Sequence, residues 1–125
     1  TLLITDQDIR RLPLSIKTAI PVIEEAFRMA GEGSAENQPR FRKPFRNGFM
    51  QFSPGALHDK RIAGFRLWAN FGRGSGVHKN KNSNGYDYIY DMNTGELLAI
   101  VHTYFISLFR TSAATAVAVL QCRQN

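Results

Sequence analysis

The sequence predicts an α+β fold in which N-terminal helices pack on an antiparallel sheet and an alanine-rich helix ends the chain. Apolar residues recur with a period near 3.6 in the N-terminal segment, as they do in amphipathic helices. From Pro39 to Val101 the period changes to two, with turn residues between short runs, which is typical of antiparallel strands. A length of 125 residues with 43% hydrophobic residues suits one domain spanning residues 1–125.

Two helices are predicted before the sheet. Thr5-Asp6-Gln7-Asp8 is a capping pattern that predicts the start of a short first helix. Ser15 precedes a second helix with one apolar stripe, which Gly31 and Gly33 are expected to end. Pro21 either kinks this helix or occupies its first position, because a proline deeper in a helix costs about 3 kcal/mol.

Two features of the sheet region stand out. The most regular strand is predicted over Ile62–Phe71, with Arg66 on the face opposite a row of apolar side chains, namely Phe65, Leu67, Ala69 and Phe71. Tyrosines alternate with other residues over Tyr86–Asp91, and Met92–Gly95 then turns the chain into an apolar strand over Leu97–Val101. The sequence therefore predicts a hairpin here.

The last helix is predicted to begin in Ser107-Leu108-Phe109-Arg110-Thr111, with Ser107 as the N-cap. Arg110 would then lie beside the free amides of a helix N-terminus, where carboxylates and phosphates bind well. The following segment, Ser112–Leu120, has almost no polar face. We therefore expect other protein to cover this helix on most sides.

Charge and composition narrow the possible functions. The net charge of +6 leaves a polyanion partner open, but no recognition helix, zinc finger or aromatic ribonucleoprotein motif accompanies it, so nucleic acid is disfavoured. No apolar run approaches the roughly 20 residues of a membrane span, and the first residues lack the features of a signal peptide. The sequence therefore predicts a cytoplasmic protein without a membrane partner. Cys122 is the only cysteine, so no intrachain disulfide is expected.

Two motif-like features predict little chemistry. Gly72–Gly76 is rich in glycine but is not placed between a strand and a helix, so it is a surface loop that either folds over a ligand or forms a plain turn. His58, His78 and His102 lie far apart, without a carboxylate or cysteine at ligand spacing. No metal site is predicted.

Five segments of the chain, in this order, resemble the N-terminal half of the ornithine cyclodeaminase and mu-crystallin family. They are Glu24–Arg28, Gln38–Arg40, Gly64–Arg66, Tyr90–Ala99 and Arg110–Ala114. Each segment alone is a weak signal, whereas five in order with compatible gaps are specific. The resemblance covers essentially the whole chain.

The resemblance implies a two-domain enzyme of amino acid metabolism, an oxidoreductase or a cyclodeaminating lyase. In such enzymes an N-terminal part dimerises through a sheet and supplies the substrate pocket, and a Rossmann domain holds NAD or NADP. We expect this chain to contain only the first part, to form a homodimer, to bind a small amino or imino acid and to be inactive alone. It would be a fragment, a truncated product or a short natural protein. No catalytic acid or base is identified.

The resemblance also assigns site residues. Arg40 is expected to bind the substrate carboxylate. Arg110 is expected to touch substrate or cofactor, with Thr111 beside it. Asn82 or Ser83 falls near a position where relatives contact the cofactor.

Arg66 is a third expected substrate-binding residue, although the family usually has a lysine there. Arginine stays protonated, so it can bind and polarise but cannot shuttle a proton, which favours imine reduction or amino acid oxidation over cyclising deamination. Structural readings stay open: Arg40 in an exposed basic strand, Arg66 paired with a carboxylate, Arg110 capping a neighbouring helix. A non-catalytic oligomeric module that binds small molecules and a basic nucleic-acid-binding domain are the alternative functions.

Overall fold

The computed structural model describes residues 1–72 and 83–124. In this part of the chain, seven strands, three α-helices and a 3₁₀ turn at His58–Lys60 follow one another in a single order. They are β1 (Leu2–Ile4), α1 (Asp6–Arg10), α2 (Ile16–Glu32), β2 (Ala35–Asn37), β3 (Phe41–Phe45), β4 (Gly48–Leu57), β5 (Ile62–Phe71), β6 (Ser83–Asp91), β7 (Leu97–His102) and α3 (Thr103–Gln124).

The strands form one sheet in the order β1-β7-β6-β5-β4-β2, with β3 also pairing with β4. The pairs among β2 to β7 are antiparallel, which confirms the predicted sheet, the strand Ile62–Phe71 and the hairpin of β6 and β7. β1 instead pairs with β7 in parallel and makes the sheet mixed. Its three residues are too few to show an alternating pattern in the sequence.

The capping box predicted at Thr5 forms, and a second capping box, which was not predicted, forms at Ser15. The Thr5 side chain accepts a hydrogen bond from the Asp8 amide at 3.2 Å, and the Asp8 carboxylate accepts one from the Thr5 amide at 2.9 Å. The hydrogen bond from the Thr5 hydroxyl and that from its amide lower the pKa of Asp8 from its usual value. Ser15 and Thr18 form the same reciprocal arrangement at the start of α2.

Pro21 lies inside α2 and does not begin it. The alternative in which Ile20 caps a helix that starts at the proline is therefore wrong, since the capping box at Ser15 sets an earlier start. Gly31 is also within the helix, so its expected role as a stop is wrong. Gly33 ends the helix with a left-handed backbone, φ 82°, as predicted.

α3 begins at Thr103, one turn before Ser107, so the predicted N-cap is wrong. The Phe105 amide, in the first turn, donates a hydrogen bond to Asp6 Oδ1 at 3.2 Å. The aromatic and β-branched residues that open α3 favour strand by propensity, and a long-range contact with Asp6 stabilises them as helix. Arg110 therefore lies well inside α3, and the anion site predicted for it at a helix N-terminus does not exist.

The most completely buried apolar side chains lie where the three helices meet. They are Ile9, Met29, Ala113 and Val117. The rest of α3 is less covered than expected: Leu108 and Val119 are both 53% exposed. Within the described residues, α3 thus presents one packed side and one open apolar side.

By length and composition α3 could cross a membrane, because an 18-residue window within its 21-residue span Thr103–Arg123 has a mean hydropathy of 1.4. This finding corrects the expectation that no segment of the chain approaches the length and apolar character of a membrane span. The two criteria alone are weak evidence, because packed helices outside membranes also meet them. α3 packs against α1, α2 and β6.

Candidate functional site

A cavity of about 1040 Å³ lies between the sheet and the helices and is open to solvent. Strands β4, β5 and β6 form its floor, and Phe27 of α2 is part of its wall. Three arginines predicted to bind substrate line it together: Arg40 after β2, Arg66 in β5 and Arg110 in α3. The fold thus brings to one place three cations that are distant in sequence.

Arg66 is held by an ion pair across the sheet. Its Nε and Nη2 donate to the two carboxylate oxygens of Asp87 at 2.8 and 2.9 Å, and its Nη1 donates to Ser107 Oγ at 3.3 Å. The side chains of Arg66 and Asp87 are only 25% and 21% exposed. The prediction that Arg66 could pair with a carboxylate is confirmed, and its charge is neutralised locally.

Asp87 and Ser107 are members of this network that the sequence did not assign to the site. Asp87 lies directly opposite Arg66 in the pairing of β5 with β6. Directly opposite positions are neighbours for side chains on the same face of a sheet. The alternation in both strands was visible in the sequence, but the register that makes them partners was not.

Arg40 and Arg110 are both exposed. Among residues 1–72 and 83–124, neither guanidinium makes a side-chain hydrogen bond or an ion pair, in contrast to Arg66. Each therefore offers its full charge and its fork of donors to an anion in the cavity.

Arg42 is a fourth cavity arginine, which the sequence showed only as part of a basic cluster. Its Nε and Nη2 donate to the side-chain oxygen of Gln51 at 3.1 and 2.7 Å, and its guanidinium lies 4.1 Å from the centre of the Phe49 ring. Gln51 is neutral, so Arg42 keeps its charge. Its position two residues after Arg40 is the signal that could have identified it.

The cavity is electropositive. Four arginines and two acids, Glu36 and Asp87, are the charged residues that line it in the described part of the chain, for a net charge of +2. Glu36 lies 3.3 Å from Nε2 of His58 outside the cavity. The arrangement suits a small anionic molecule.

The remaining predicted site residues are less well placed. Thr111 is exposed and is not among the residues that line the cavity. Ser83 begins β6, where it pairs with Asn70. Asn82 lies outside the described residues. Their cofactor assignments remain predictions.

The histidines that the structure describes have local partners. Nδ1 of His102 lies 3.0 Å from Asp6, and the ring stacks on Tyr86 with 5.0 Å between ring centres. His78 lies outside the described residues. Within residues 1–72 and 83–124, no group of three His, Cys, Asp or Glu residues could hold a metal ion.

A dinucleotide would need a strand-to-helix turn that exposes backbone amides to its pyrophosphate. The described residues pass from strand to helix directly at two places, Ile4–Asp6 and His102–Thr103, and neither contains glycine. At the second, Asp6 already takes the Phe105 amide. The described residues therefore do not fit a whole dinucleotide. Of the predicted cofactor contacts among these residues, Arg110 is the one that lines the cavity.

Comparison with known proteins gives one family and several similar structures. The model of the ornithine cyclodeaminase/mu-crystallin family matches residues 2–122. The nodulation efficiency protein NfeD of Rhizobium meliloti is 27% identical over 112 residues, which are 89% of this chain and 35% of that protein.

Three solved structures share the fold. An archaeal alanine dehydrogenase dimer with bound NAD is 25% identical, with a TM-score of 0.78 over 91% of this chain and 34% of that one. The Thermococcus litoralis Δ¹-pyrroline-2-carboxylate reductase with NADH and L-proline is 26% identical, with a TM-score of 0.78 over 92% and 36%. The iminosuccinate reductase of Paracoccus denitrificans with NAD⁺ has a TM-score of 0.83 over 95% and 37% at 22% identity. This chain spans about a third of the length of these relatives.

Proposed function

Because this chain belongs to the ornithine cyclodeaminase/mu-crystallin family, we propose that it is the substrate-binding and dimerisation part of an NAD(P)-dependent amino or imino acid oxidoreductase. The substrate class follows the names of the similar structures, an alanine dehydrogenase and a reductase holding L-proline. Cyclising deamination, the activity in the family's name, is the less favoured reaction, because Arg66 stays protonated and cannot shuttle a proton.

The observation that carries the proposal is the convergence of Arg40 and Arg110 on one cavity, both without an ion pair among the described residues. An arginine grips a carboxylate through two parallel hydrogen bonds, and two such groups from separate elements fix its orientation. A bound amino or imino acid would thereby be held with its α-carbon in a defined direction, as a hydride-transfer reaction requires.

Arg66 has an orienting role in this proposal. Its Nε and Nη2 edge is taken by Asp87, which leaves hydrogens on Nη1 and Nη2 for a ligand without adding net charge. Because arginine does not deprotonate in proteins, Arg66 donates hydrogen bonds and moves no proton. In this proposal the residues of this chain bind and orient the amino or imino acid.

The proposed dimer would form through the aromatic face of the sheet. The cavity side carries Arg66 and is lined by α2 and α3, so the opposite face is turned away from these helices. On that face Phe65 stacks on Tyr88 with 4.7 Å between ring centres, and Phe41 is 63% exposed. A broad aromatic surface of this kind is typical of interfaces. The archaeal alanine dehydrogenase is a dimer.

Ligand titration tests the proposed binding of an amino or imino acid. We would titrate the chain with L-alanine, L-proline and L-ornithine by calorimetry, and compare Arg40→Gln with Arg46→Gln. Arg46 lies in the turn after β3 and outside the cavity lining, so its substitution removes the same charge elsewhere. Loss of one charge-assisted bidentate contact should weaken binding by about 10- to 100-fold in Arg40→Gln. Equal affinities in the two variants would refute the assignment of Arg40.

Sedimentation tests the proposed dimerisation. The wild-type chain should sediment as a dimer, and Tyr88→Glu should be monomeric, since a charge at the centre of an apolar interface is left unpaired. Tyr104→Glu, on α3 and 50% exposed, is the matched control and should remain dimeric. A wild-type monomer, or a dimer that survives Tyr88→Glu, would contradict dimerisation through this face.

A further inference from the structure

The charges of the cavity exceed what a single carboxylate needs. Asp87 neutralises Arg66, which leaves Arg40, Arg42 and Arg110 as cations without an acidic partner among the described side chains. The remaining acid, Glu36, is paired with a histidine on its other side. If Arg40 and Arg110 together hold one carboxylate, as proposed above, Arg42 remains as a third cation without an anionic partner.

Arg42 is oriented before any ligand arrives. Gln51 accepts hydrogen bonds from Nε and Nη2 with one oxygen, and the guanidinium lies over the Phe49 ring. These contacts use one edge and one face of the guanidinium. The other edge, formed by Nη1 and Nη2, keeps two parallel hydrogens, which match the two oxygens of a carboxylate.

The partner of Arg42 distinguishes it from Arg66. Both side chains lie across a strand pair from their partners, Arg42 opposite Gln51 and Arg66 opposite Asp87. An amide holds the guanidinium in place without cancelling its charge, whereas a carboxylate does both. The cavity therefore combines one neutralised arginine with one that is fixed and still charged.

We infer that the cavity takes a substrate with a second anionic group, a dicarboxylic amino or imino acid whose side-chain carboxylate binds Arg42. This inference rests on the proposed function, since it assigns the α-carboxylate to Arg40 and Arg110. The cavity of about 1040 Å³ has room for a molecule of that size.

Matched ligands test the inference on the 125-residue chain. L-aspartate and L-glutamate would be titrated by calorimetry at low ionic strength beside L-asparagine and L-glutamine, which have nearly the same shape and no side-chain charge. A charge-assisted contact to Arg42 should make each acid bind about tenfold tighter than its amide. Equal affinity of acid and amide would overturn the inference. If both ligands bind and Arg40→Gln weakens the binding of both, the proposed function still stands.

Variants distinguish a specific contact between Arg42 and the side-chain carboxylate from a general effect of positive charge on the preference for the acid. Arg42→Gln should abolish the preference for the acid and leave the affinity for the amide within about twofold, since the neutral ligand makes no charge-assisted contact there. Lys43→Gln, at the next residue of β3 and pointing to the other face of the sheet, should keep the preference. Gln51→Glu should lose it, because a carboxylate in place of the amide neutralises Arg42. A preference that survives both Arg42→Gln and Gln51→Glu would overturn the inference.

A second source of anionic groups is a nucleotide phosphate. Titration with AMP and with pyrophosphate distinguishes the two: dicarboxylate affinity that depends on Arg42, with phosphate affinity that does not, supports the inference. The reverse pattern would assign Arg42 to phosphate and overturn it. No binding of any of these amino acids would overturn both the inference and the proposed function.

Discussion

Removal of the Asp87 carboxylate should destabilise the chain and strengthen anion binding at the same time. Asp87→Ala leaves Arg66 three-quarters buried with one hydrogen-bond partner, Ser107, and without its counter-charge. Breaking a fully buried pair costs about 3–5 kcal/mol and breaking an exposed pair about 0–1 kcal/mol. The intermediate burial of this pair gives a loss of about 2 kcal/mol.

Urea denaturation followed by circular dichroism measures this loss. With a slope of about 2 kcal/mol per molar urea for a chain of this size, the midpoint should fall by about 1 M. Glu96→Ala, an exposed acid in the turn between β6 and β7, should leave the midpoint unchanged within about 0.2 M. A cycle with Arg66→Gln should give a coupling energy of about 1–2 kcal/mol between Arg66 and Asp87.

Two results would refute the reasoning. A coupling energy below about 0.5 kcal/mol would mean that the pair behaves as a surface salt bridge in spite of its burial. The second readout is the affinity for a carboxylate ligand, which should rise in Asp87→Ala because Arg66 regains its charge inside the cavity. A fall in affinity would show that Asp87 is needed to orient Arg66 and that orientation outweighs charge.

Three further predictions concern the framework of the site. Gly64→Ala should destabilise the chain by about 2 kcal/mol in urea denaturation, because the new Cβ would clash with the backbone oxygen of Tyr88 in β6. Gly31→Ala, whose new Cβ would have nothing within 4 Å, should be neutral or stabilising by about 0.5 kcal/mol. The pKa of Asp8 is lowered in the folded chain, so the contribution of Asp8 to stability is present above the unfolded pKa and is lost as the pH falls through the folded pKa. An NMR titration should place the pKa of Asp8 below 3.8, and Thr5→Ala should return the pKa toward that value. An unchanged pKa in the variant would count against the capping box. Asp6→Ala removes both the pair with a histidine and the acceptor at the start of α3, so the midpoint should fall by an amount equivalent to about 2 kcal/mol, and faster amide exchange in the first turn of α3 should accompany it.

Local patterns in the sequence were sufficient wherever the deciding interactions are local. The capping box at Thr5 is formed by residues three positions apart, and it occurs as predicted. The strand Ile62–Phe71 and the hairpin of β6 and β7 follow from alternation and from a turn with Gly95 at φ 73°. In these cases the physical cause and the sequence signal span the same few residues.

Prediction failed where a distant residue decides the local structure. The first turn of α3 has the composition of a strand, and Asp6, almost a chain length away, supplies its acceptor. Pro21 is a separate case, since the nearby capping box at Ser15 starts α2 before the proline and leaves Pro21 inside the helix. The prediction that Arg110 lies at a helix N-terminus failed with the helix start on which it depended, although Arg110 does line the cavity.

The sequence by itself determined the class of fold, the family and three arginines of the candidate site, because periodicity, turn chemistry and ordered motifs are properties of the chain alone. Only the tertiary structure decided which partners the cavity arginines Arg66 and Arg42 have. Strand register placed Asp87 opposite Arg66 and Gln51 opposite Arg42, so one charge is cancelled and the other kept. Register is set by packing across the whole sheet, and that is why the electrostatics of the cavity could not be derived from any single segment.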